Sequence, residues 1–505
     1  MHPVLAQALA EIETPRVDWG GLSPILVLLV GALVLILVAS LIPGRPPRWF
    51  PASVTIVTGV GALVASALVW GRIADEGAFA TVADAVVIDG FSVFFFVTIS
   101  AAVVLAALAA DEYVIREGLD GPELYILMLL SASGGLVMAS ANDLIVFFLG
   151  LEILSIALYV LAGFQVRRAA SREAGMKYFV LGAFSSAFLL YGIAFVYGAT
   201  GTTNLAGIAD FLAGNLLESD RLLLGGFALI LVGLGFKTAA VPFHVWTPDV
   251  YQGAPTPVTS FMASASKAAA FAGLLRIFVS AFGSYRLDWQ PVIFVLAIAT
   301  LCVGAFYAIV QTDVKRMLAY SSISHAGFVL VGVHAATDRG VAASLFYLLS
   351  YTFMVTGSFA VATVVGRRGD ARHDLGDYRG LARRRPALAL AFTVFLMAQA
   401  GVPFTSGFLA KFYVIGAAVD EGDYALGLVA MLTSVVAAFL YLRIIVAMYM
   451  GDEADDADVG RLPVPLGAGL AIGLSVAFTL VVGVLPSLVV DFARDAVPVL
   501  ISARG

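Results

Sequence analysis

Four ionisable residues stand inside long apolar segments: Glu152, Lys237, Lys267 and Lys411. A charge at bilayer centre costs about 2.5–3.5 kcal/mol on insertion scales, so a chain that keeps four of them is using them. Lys267 is the plainest case, because its segment, 257–282, offers no easy route to either surface. Desolvation destabilises a charged amine or carboxylate and brings its proton within reach of exchange. Residues of this kind point to movement of protons or ions through the segments that hold them.

Each of the four has a plainer reading. Glu152 could carry protons, or it could be a buried carboxylate that caps a helix or pairs with a lysine. Lys237, five residues before Pro242, could snorkel to an interface, although about a dozen apolar residues separate it from Arg221. Lys411, eight residues after Pro403, could likewise be a lysine drawn along a helix end. Glu152 and Lys237 are the expected coupled pair. His244 and His325 are either relays or satisfied core residues, and His325 sits among Ser321, Ser322 and Ser324, whose hydroxyls could hold water. Lys177 and Lys315 read as interfacial anchors, and Arg276 and Arg443 as residues near helix ends with no transport role.

The segments that must position these groups dominate the composition. Of 505 residues 61% are hydrophobic and 13% charged, with a mean hydropathy of +0.97, which marks an integral membrane protein. The apolar runs are long and continuous, so the spans are helices and the fold is all-α. The net charge of -6 lies largely in clusters such as Asp452, Glu453, Asp455, Asp456 and Asp458, and nothing signals nucleic-acid binding. The single cysteine, Cys302, excludes an internal disulfide and iron–sulfur or covalent haem ligation within this chain. His325 and His334 are nine residues apart, on opposite helix faces, which disfavours a haem clamped between them. No metal-ligand cluster, phosphate loop or nucleophile elbow appears, so neither a metal nor a cofactor is expected in this chain. The first 22 residues carry Glu11, Glu13 and Asp18 and lack a basic start, which favours a bacterial inner-membrane protein without a signal peptide.

Fourteen spans are predicted, near 23–43, 52–70, 89–110, 122–140, 144–164, 175–198, 222–250, 257–282, 291–311, 317–336, 341–365, 387–419, 424–450 and 465–490. Connections on one side carry sixteen arginines and lysines, among them Arg45, Arg48, Arg116, Arg168, Lys315, Arg461 and the loop Arg367 to Arg385. The other side carries seven, Arg16, Arg72, Arg221, Arg286, Arg339, Arg494 and Arg504. The basic side is expected in the cytoplasm, with both termini in the periplasm.

The seventh and twelfth segments are too long for simple crossings, and each contains a Val-Pro-Phe triplet, at Val241 to Phe243 and Val402 to Phe404. Pro242 and Pro403 each remove a backbone donor, which predicts two helices broken near mid-membrane. Such breaks are tolerated where backbone is buried in protein or lines a wet cavity. Breaks five spans apart run in opposite directions, the arrangement of inverted repeats. The chain therefore divides into N-terminal spans (1–121), a first five-helix repeat (122–282), a second (283–450) and a C-terminal span (451–505).

The stretch from Gly150 to Leu205, with Gly150-Leu-Glu-Ile-Leu-Ser-Ile-Ala-Leu-Tyr and Met176-Lys-Tyr-Phe-Val-Leu-Gly-Ala-Phe-Ser-Ser, resembles the N-subunit family of bacterial NADH:quinone oxidoreductase, respiratory complex I. Gly235-Phe-Lys-Thr-Ala-Ala-Val-Pro-Phe-His and Val314-Lys-Arg-Met-Leu-Ala-Tyr-Ser-Ser-Ile-Ser-His are similar to the wider antiporter-like superfamily. The resemblance runs from the fourth span onward. It implies a proton-translocating, non-redox subunit of a translocase, related to subunits of multisubunit sodium/proton antiporters, which remain the alternative. It further implies that Glu152 and Lys237 form a coupled pair, that Lys267 is the central lysine of span eight, and that Lys411 completes the path where one sister subunit carries glutamate. FMN, iron–sulfur clusters and quinone are then expected in other subunits, with sister membrane-arm subunits and the bilayer as partners. The short chain after span fourteen, with no long lateral helix, argues against the most distal sister.

Overall fold

The computed structural model describes residues 16–41, 47–119, 121–215, 219–451 and 463–499. The acidic cluster from Asp452 to Asp458, Glu11, Glu13, Arg45, Arg461 and Arg504 lie outside the described residues.

Among the described residues, thirteen helices are long and apolar enough to cross a membrane. Numbered as spans, they are Ser23–Leu41, Phe50–Glu76, Gly90–Glu117, Glu123–Ser140, Leu144–Ala162, Ala169–Thr200, Arg221–Thr238 (seventh), Thr256–Ala281 (eighth), Arg286–Ile309 (ninth), Val314–Ala335 (tenth), Asp338–Val365 (eleventh), Tyr424–Met450 (thirteenth) and Leu466–Val484 (fourteenth). The twelfth crossing is made by two shorter helices in series, Pro386–Ala400 and Ser406–Asp420. The seventh continues after its break as Thr247–Gly253.

Several elements escaped the hydropathy reading, among them the helix Leu205–Gly214. A short antiparallel hairpin pairs Phe79–Thr81 with Val86–Ile88 before the third span, and an amphipathic helix, Ser487–Asp495, follows the fourteenth. In the eighth span the α-helix is interrupted by π-helical turns at Met262–Ser266 and Leu275–Ala281, and Lys267 is the first residue after one of them. Such turns are commonly found at functional sites.

The apolar windows are 94% buried in the eighth and eleventh spans and fully buried in the tenth, but only 33% buried in the first and fourteenth. Spans eight, ten and eleven therefore form the interior. Close approach is set by small residues in places: a Cβ on Gly134 would meet the Leu154 nitrogen at 2.5 Å, and one on Gly150 would meet the Met138 nitrogen at 2.9 Å. Spans four and five thus touch backbone to backbone.

The two breaks are built differently from a proline kink. The seventh helix ends at Thr238, ahead of Pro242, with Ala239 left-handed (φ 63°) and the Ala240 amide donating to the Gly235 carbonyl at 2.8 Å. Trp246 Nε1 donates to the Phe236 carbonyl at 2.9 Å, and the Val241 amide donates to Thr300 Oγ1 at 2.9 Å. In the twelfth, Gly401 (φ 92°) closes the first half, the Val402 amide donates to the Met397 carbonyl at 3.0 Å, and Thr405 caps the second half. Pro242 and Pro403 themselves are exposed on the chain's surface. The two helices break where the sequence predicts; local caps satisfy much of the freed backbone, and the proline rings are left outside.

Four basic residues outside the lysine row have defined partners. Lys315 is no interfacial anchor: it is fully buried and donates to the Ala254 carbonyl at 2.7 Å and to Asp370 at 3.2 Å. Asp370, in the loop after the eleventh span, further accepts from Thr256 at 2.7 Å and Arg168 at 3.1 Å and lies 2.7 Å from His373 Nε2. That one carboxylate joins the fifth-to-sixth connection, the start of the eighth span and the tenth span. Arg276 is likewise buried, in a two-point ion pair with Asp89 at 2.7 and 3.0 Å that ties the eighth span to the cap of the third. Lys177 holds Asp249 at 2.6 Å and Glu173 at 2.7 Å, and Arg443 donates to the Ile309 carbonyl.

Candidate functional site: a row of buried lysines

Lys237 lies in the last turn of the first half of the seventh span, where a cation complements the exposed carbonyl end of the helix. It is 3% exposed, and its Nζ is 3.5 Å from Tyr178 Oη and 5.0 Å from the ring centres of both Tyr159 and Tyr178. Ring faces attract a desolvated ammonium by about 2 kcal/mol. Trp246 stacks on Tyr178 with centroids 4.6 Å apart and so fixes that wall. Glu152, half-buried on the fifth span, is within electrostatic reach of Lys237 but makes no direct ion pair with it, and its Oε1 has no hydrogen-bond partner. Tyr159, whose ring faces Lys237, stands two turns along the same helix from Glu152.

Lys267 is 2% exposed and donates at 2.6 Å to both the carbonyl and the hydroxyl of Ser322 on the tenth span. One turn along that span, His325 Nδ1 is 2.6 Å from Tyr347 Oη and Nε2 is 3.2 Å from Tyr441 Oη. Tyr441 in turn lies 2.6 Å from Ser321 Oγ, which donates to Gln399 at 3.1 Å. Lys411, 5% exposed on the second half of the twelfth span, donates to the Ala400 carbonyl at 3.0 Å and to Ser434 Oγ at 2.8 Å. Its Nζ stands 4.7 Å from the centre of the Phe328 ring. Ser322, His325 and Phe328 rise along one helix, so about 9 Å of the tenth span connects the Lys267 site to the Lys411 site.

Of the residues singled out from sequence, the fold brings Lys267, His325 and Lys411 to one helix and sets Lys237 beside the eighth span. His244 is placed apart. It is half-buried in the break loop, its Nδ1 has no partner, and no hydrogen bond or ion pair joins it to Lys237 among the described residues. Pro242 and Pro403 stand beyond the helix ends. The sequence reading missed Tyr159 and Tyr178 beside Lys237, Ser434 beside Lys411, and Tyr347, Tyr441 and Gln399 around His325 and Ser321, and it singled out Ser322 only as a hydroxyl near His325, not as the partner of Lys267. Their signal was present only as polar atoms scattered through apolar runs.

Residues 141–437 match the family described as NADH:quinone oxidoreductase/Mrp antiporter, TM. NADH-quinone oxidoreductase subunit N of Trichlorobacter lovleyi is 44% identical over 479 residues, covering 95% of this chain and 97% of that one. The chain belongs to the NADH-quinone oxidoreductase subunit N family. Subunit N of Saccharopolyspora erythraea is 41% identical over 516 residues, covering 96% of this chain and 99% of that one. Among solved structures, a chain of respiratory complex I from Thermus thermophilus with bound aureothin superposes with a TM-score of 0.78 at 34% identity, over 93% of this chain and 99% of that one. A chain of the Mrp complex from Dietzia sp. superposes at 0.82 over 95% and 97% of the two chains, with 24% identity, a likeness of fold alone. An antiporter-like, multi-pass membrane subunit is therefore the family's architecture, and the subunit-N family places it in a respiratory chain.

Proposed function

We propose that this chain translocates protons as a non-redox membrane subunit of NADH:quinone oxidoreductase, through Glu152, Lys237, Lys267, His325 and Lys411. The observation that carries the proposal is the company each lysine keeps. Lys237, Lys267 and Lys411 are buried and touch hydroxyls, carbonyls and ring faces, with no carboxylate in direct contact among the described residues. An ammonium locked in an ion pair cannot part with its proton without leaving a bare anion in oil. One held by neutral groups can.

Quinone reduction in other subunits, which hold the FMN, iron–sulfur clusters and quinone, alters an electrostatic interaction at the edge of this chain. Glu152 then strengthens or relaxes its pull on Lys237. Lys237 passes the change to Lys267, and a proton moves along the tenth span, past His325, to Lys411. Moving one charge through the membrane potential costs about 2.3 kcal/mol per 100 mV, and the coupling must supply at least that. The two broken helices belong to inverted five-helix repeats, 122–282 and 283–450. Both termini lie in the periplasm of a bacterial inner membrane, and sister membrane-arm subunits flank the chain.

The second reading, a subunit that exchanges sodium for protons, draws on the shared fold with an Mrp chain. Sodium is bound by clustered oxygens, whereas this row offers cations. The deciding experiment is Lys237→Ala in the assembled complex, with NADH oxidation and proton uptake followed in inverted vesicles. Proton yield falls sharply if the proposal holds. Full yield refutes it, and sodium-dependent uptake without bound flavin and iron–sulfur subunits favours exchange.

A further inference from the structure

The tenth span ends in a buried histidine that the row of lysines does not use. His334 is 4% exposed, with Nδ1 3.2 Å from the Gln290 carbonyl and Nε2 2.8 Å from Asp423 Oδ2. Both neighbours are acceptors, so the ring has a place for a proton on each nitrogen. The Phe294 ring packs beside it, with centroids 5.4 Å apart. In front of it opens a cavity of about 460 Å³ whose walls include Arg286, Gln290, Phe294, Glu421 and Asp423. That space admits on the order of ten waters at liquid density. Asp423 is 32% exposed, so the acceptor of the buried ring also faces the open cavity. Arg286 holds Glu421 at 2.9 Å and donates to the Ala335 carbonyl at 2.9 Å, which leaves Asp423 to His334.

The inner side of this site meets the Lys411 helix. Lys411 Nζ stands over Phe328, and His334 is six residues farther along the same span, about 9 Å of rise. Between them, Gly332 lets the eleventh span and the Lys411 helix close on the tenth, since a Cβ there would run into Ser344 Oγ and lie 3.0 Å from the Gly340 carbonyl oxygen and 3.2 Å from Val414. The next titratable side chain along the tenth span beyond Lys411, on the way to that surface, is His334.

We propose that His334 and Asp423 form the outlet of the proton path, a step that rests on the translocation reading above. The Nε2–H bond of the doubly protonated ring breaks, the proton passes to the Asp423 carboxylate and then to cavity water, and the vacated Nε2 regains a proton that leaves the Lys411 ammonium and is carried through water, while Nδ1 keeps its own against the Gln290 carbonyl. Glu421 and Arg286 shape the mouth. His334 thus transfers the proton itself, and Gln290, through its carbonyl, is a positioning residue.

The test uses the whole complex in inverted membrane vesicles, with proton yield per NADH as the readout. His334→Gln and Asp423→Asn are expected to lower the yield to that of Lys411→Ala, and Asp338→Asn, exposed on the same side but outside the cavity, to keep it. Imidazole, whose neutral form crosses the membrane, restores yield to His334→Ala, a rescue that a purely structural histidine would not show. Full yield in both His334→Gln and Asp423→Asn, while Lys411→Ala lowers it, removes the outlet and leaves translocation standing. Full yield in Lys411→Ala as well removes the translocation reading, and the outlet with it. An equal loss in Asp338→Asn also overturns the outlet, and if His334→Gln fails to assemble, Asp423→Asn decides.

Discussion

Lys411 Nζ reaches back across the gap in its own broken helix and donates to the Ala400 carbonyl, the last residue of the first half, at 3.0 Å. The same ammonium that the proposal loads with a proton therefore also caps a helix end. The two roles separate by substitution. Lys411→Arg keeps a cation and a donor set but does not release its proton at physiological pH. The complex carrying it should assemble at normal levels yet lose the proton yield of this subunit, while Lys411→Ala loses yield and some stability, on the order of 1–3 kcal/mol. Yield in vesicles and thermal stability in detergent check the two effects.

Tyr178 offers Lys237 both a hydroxyl at 3.5 Å and a ring face at 5.0 Å. Tyr178→Phe removes only the first and should slow proton transfer with little loss of assembly. Tyr178→Ala also removes the ring, the stacking surface for Trp246 and packing worth about 3–5 kcal/mol, so it should reduce the assembled complex as well. Comparison of yield per assembled complex in the two variants separates proton transfer from packing.

Gly134 and Gly150 bring spans four and five into backbone contact, and Gly150 is two residues from Glu152. Gly150→Ala forces the helices apart and should cost about 1–3 kcal/mol of stability, with Glu152 displaced from Lys237. Gly473→Ala, where a Cβ meets nothing within 4 Å, should be close to neutral. Thermal melts of the purified complex give the difference.

Asp370 is fully buried, and burial alone would raise its pKa. Lys315, His373 and Arg168 outweigh that effect and hold the carboxyl well below its usual range. A carboxylate depressed in the folded state contributes stability that is present above the unfolded value of about 3.9 and fades as pH falls toward the folded value. Asp370→Asn leaves Lys315 without its counter-charge and should destabilise the protein by about 3–5 kcal/mol at neutral pH. The gap between variant and parent in thermal stability should narrow below pH ~4. A gap that stays constant with pH would show that the carboxylate is not the source.

The spans, their two breaks and the four intramembrane charges were legible in sequence, because a run of apolar residues and a lone lysine within it each carry a large transfer free energy. The ligands of those charges were not. Ser322 and Tyr178 weigh little in hydropathy whichever way they face, and only the packing of separate spans turns them toward Lys267 and Lys237. Lys315 misled for the same reason: a lysine near a helix end normally reaches water, and it was the Asp370 loop, far along the chain, that buried it. The proline breaks were found correctly but for an incomplete reason, since Ala239 and Gly401 end the helices before the prolines are reached.

Neither Lys267 nor Lys411 has a directly contacting anion of its own among the described residues. A proton placed on one is felt as repulsion at the other through the low-dielectric interior that separates them. On the proposed path, occupancy of the row would be self-limiting: each arrival would wait for a departure ahead of it, and single-file order would follow from electrostatics without any moving gate.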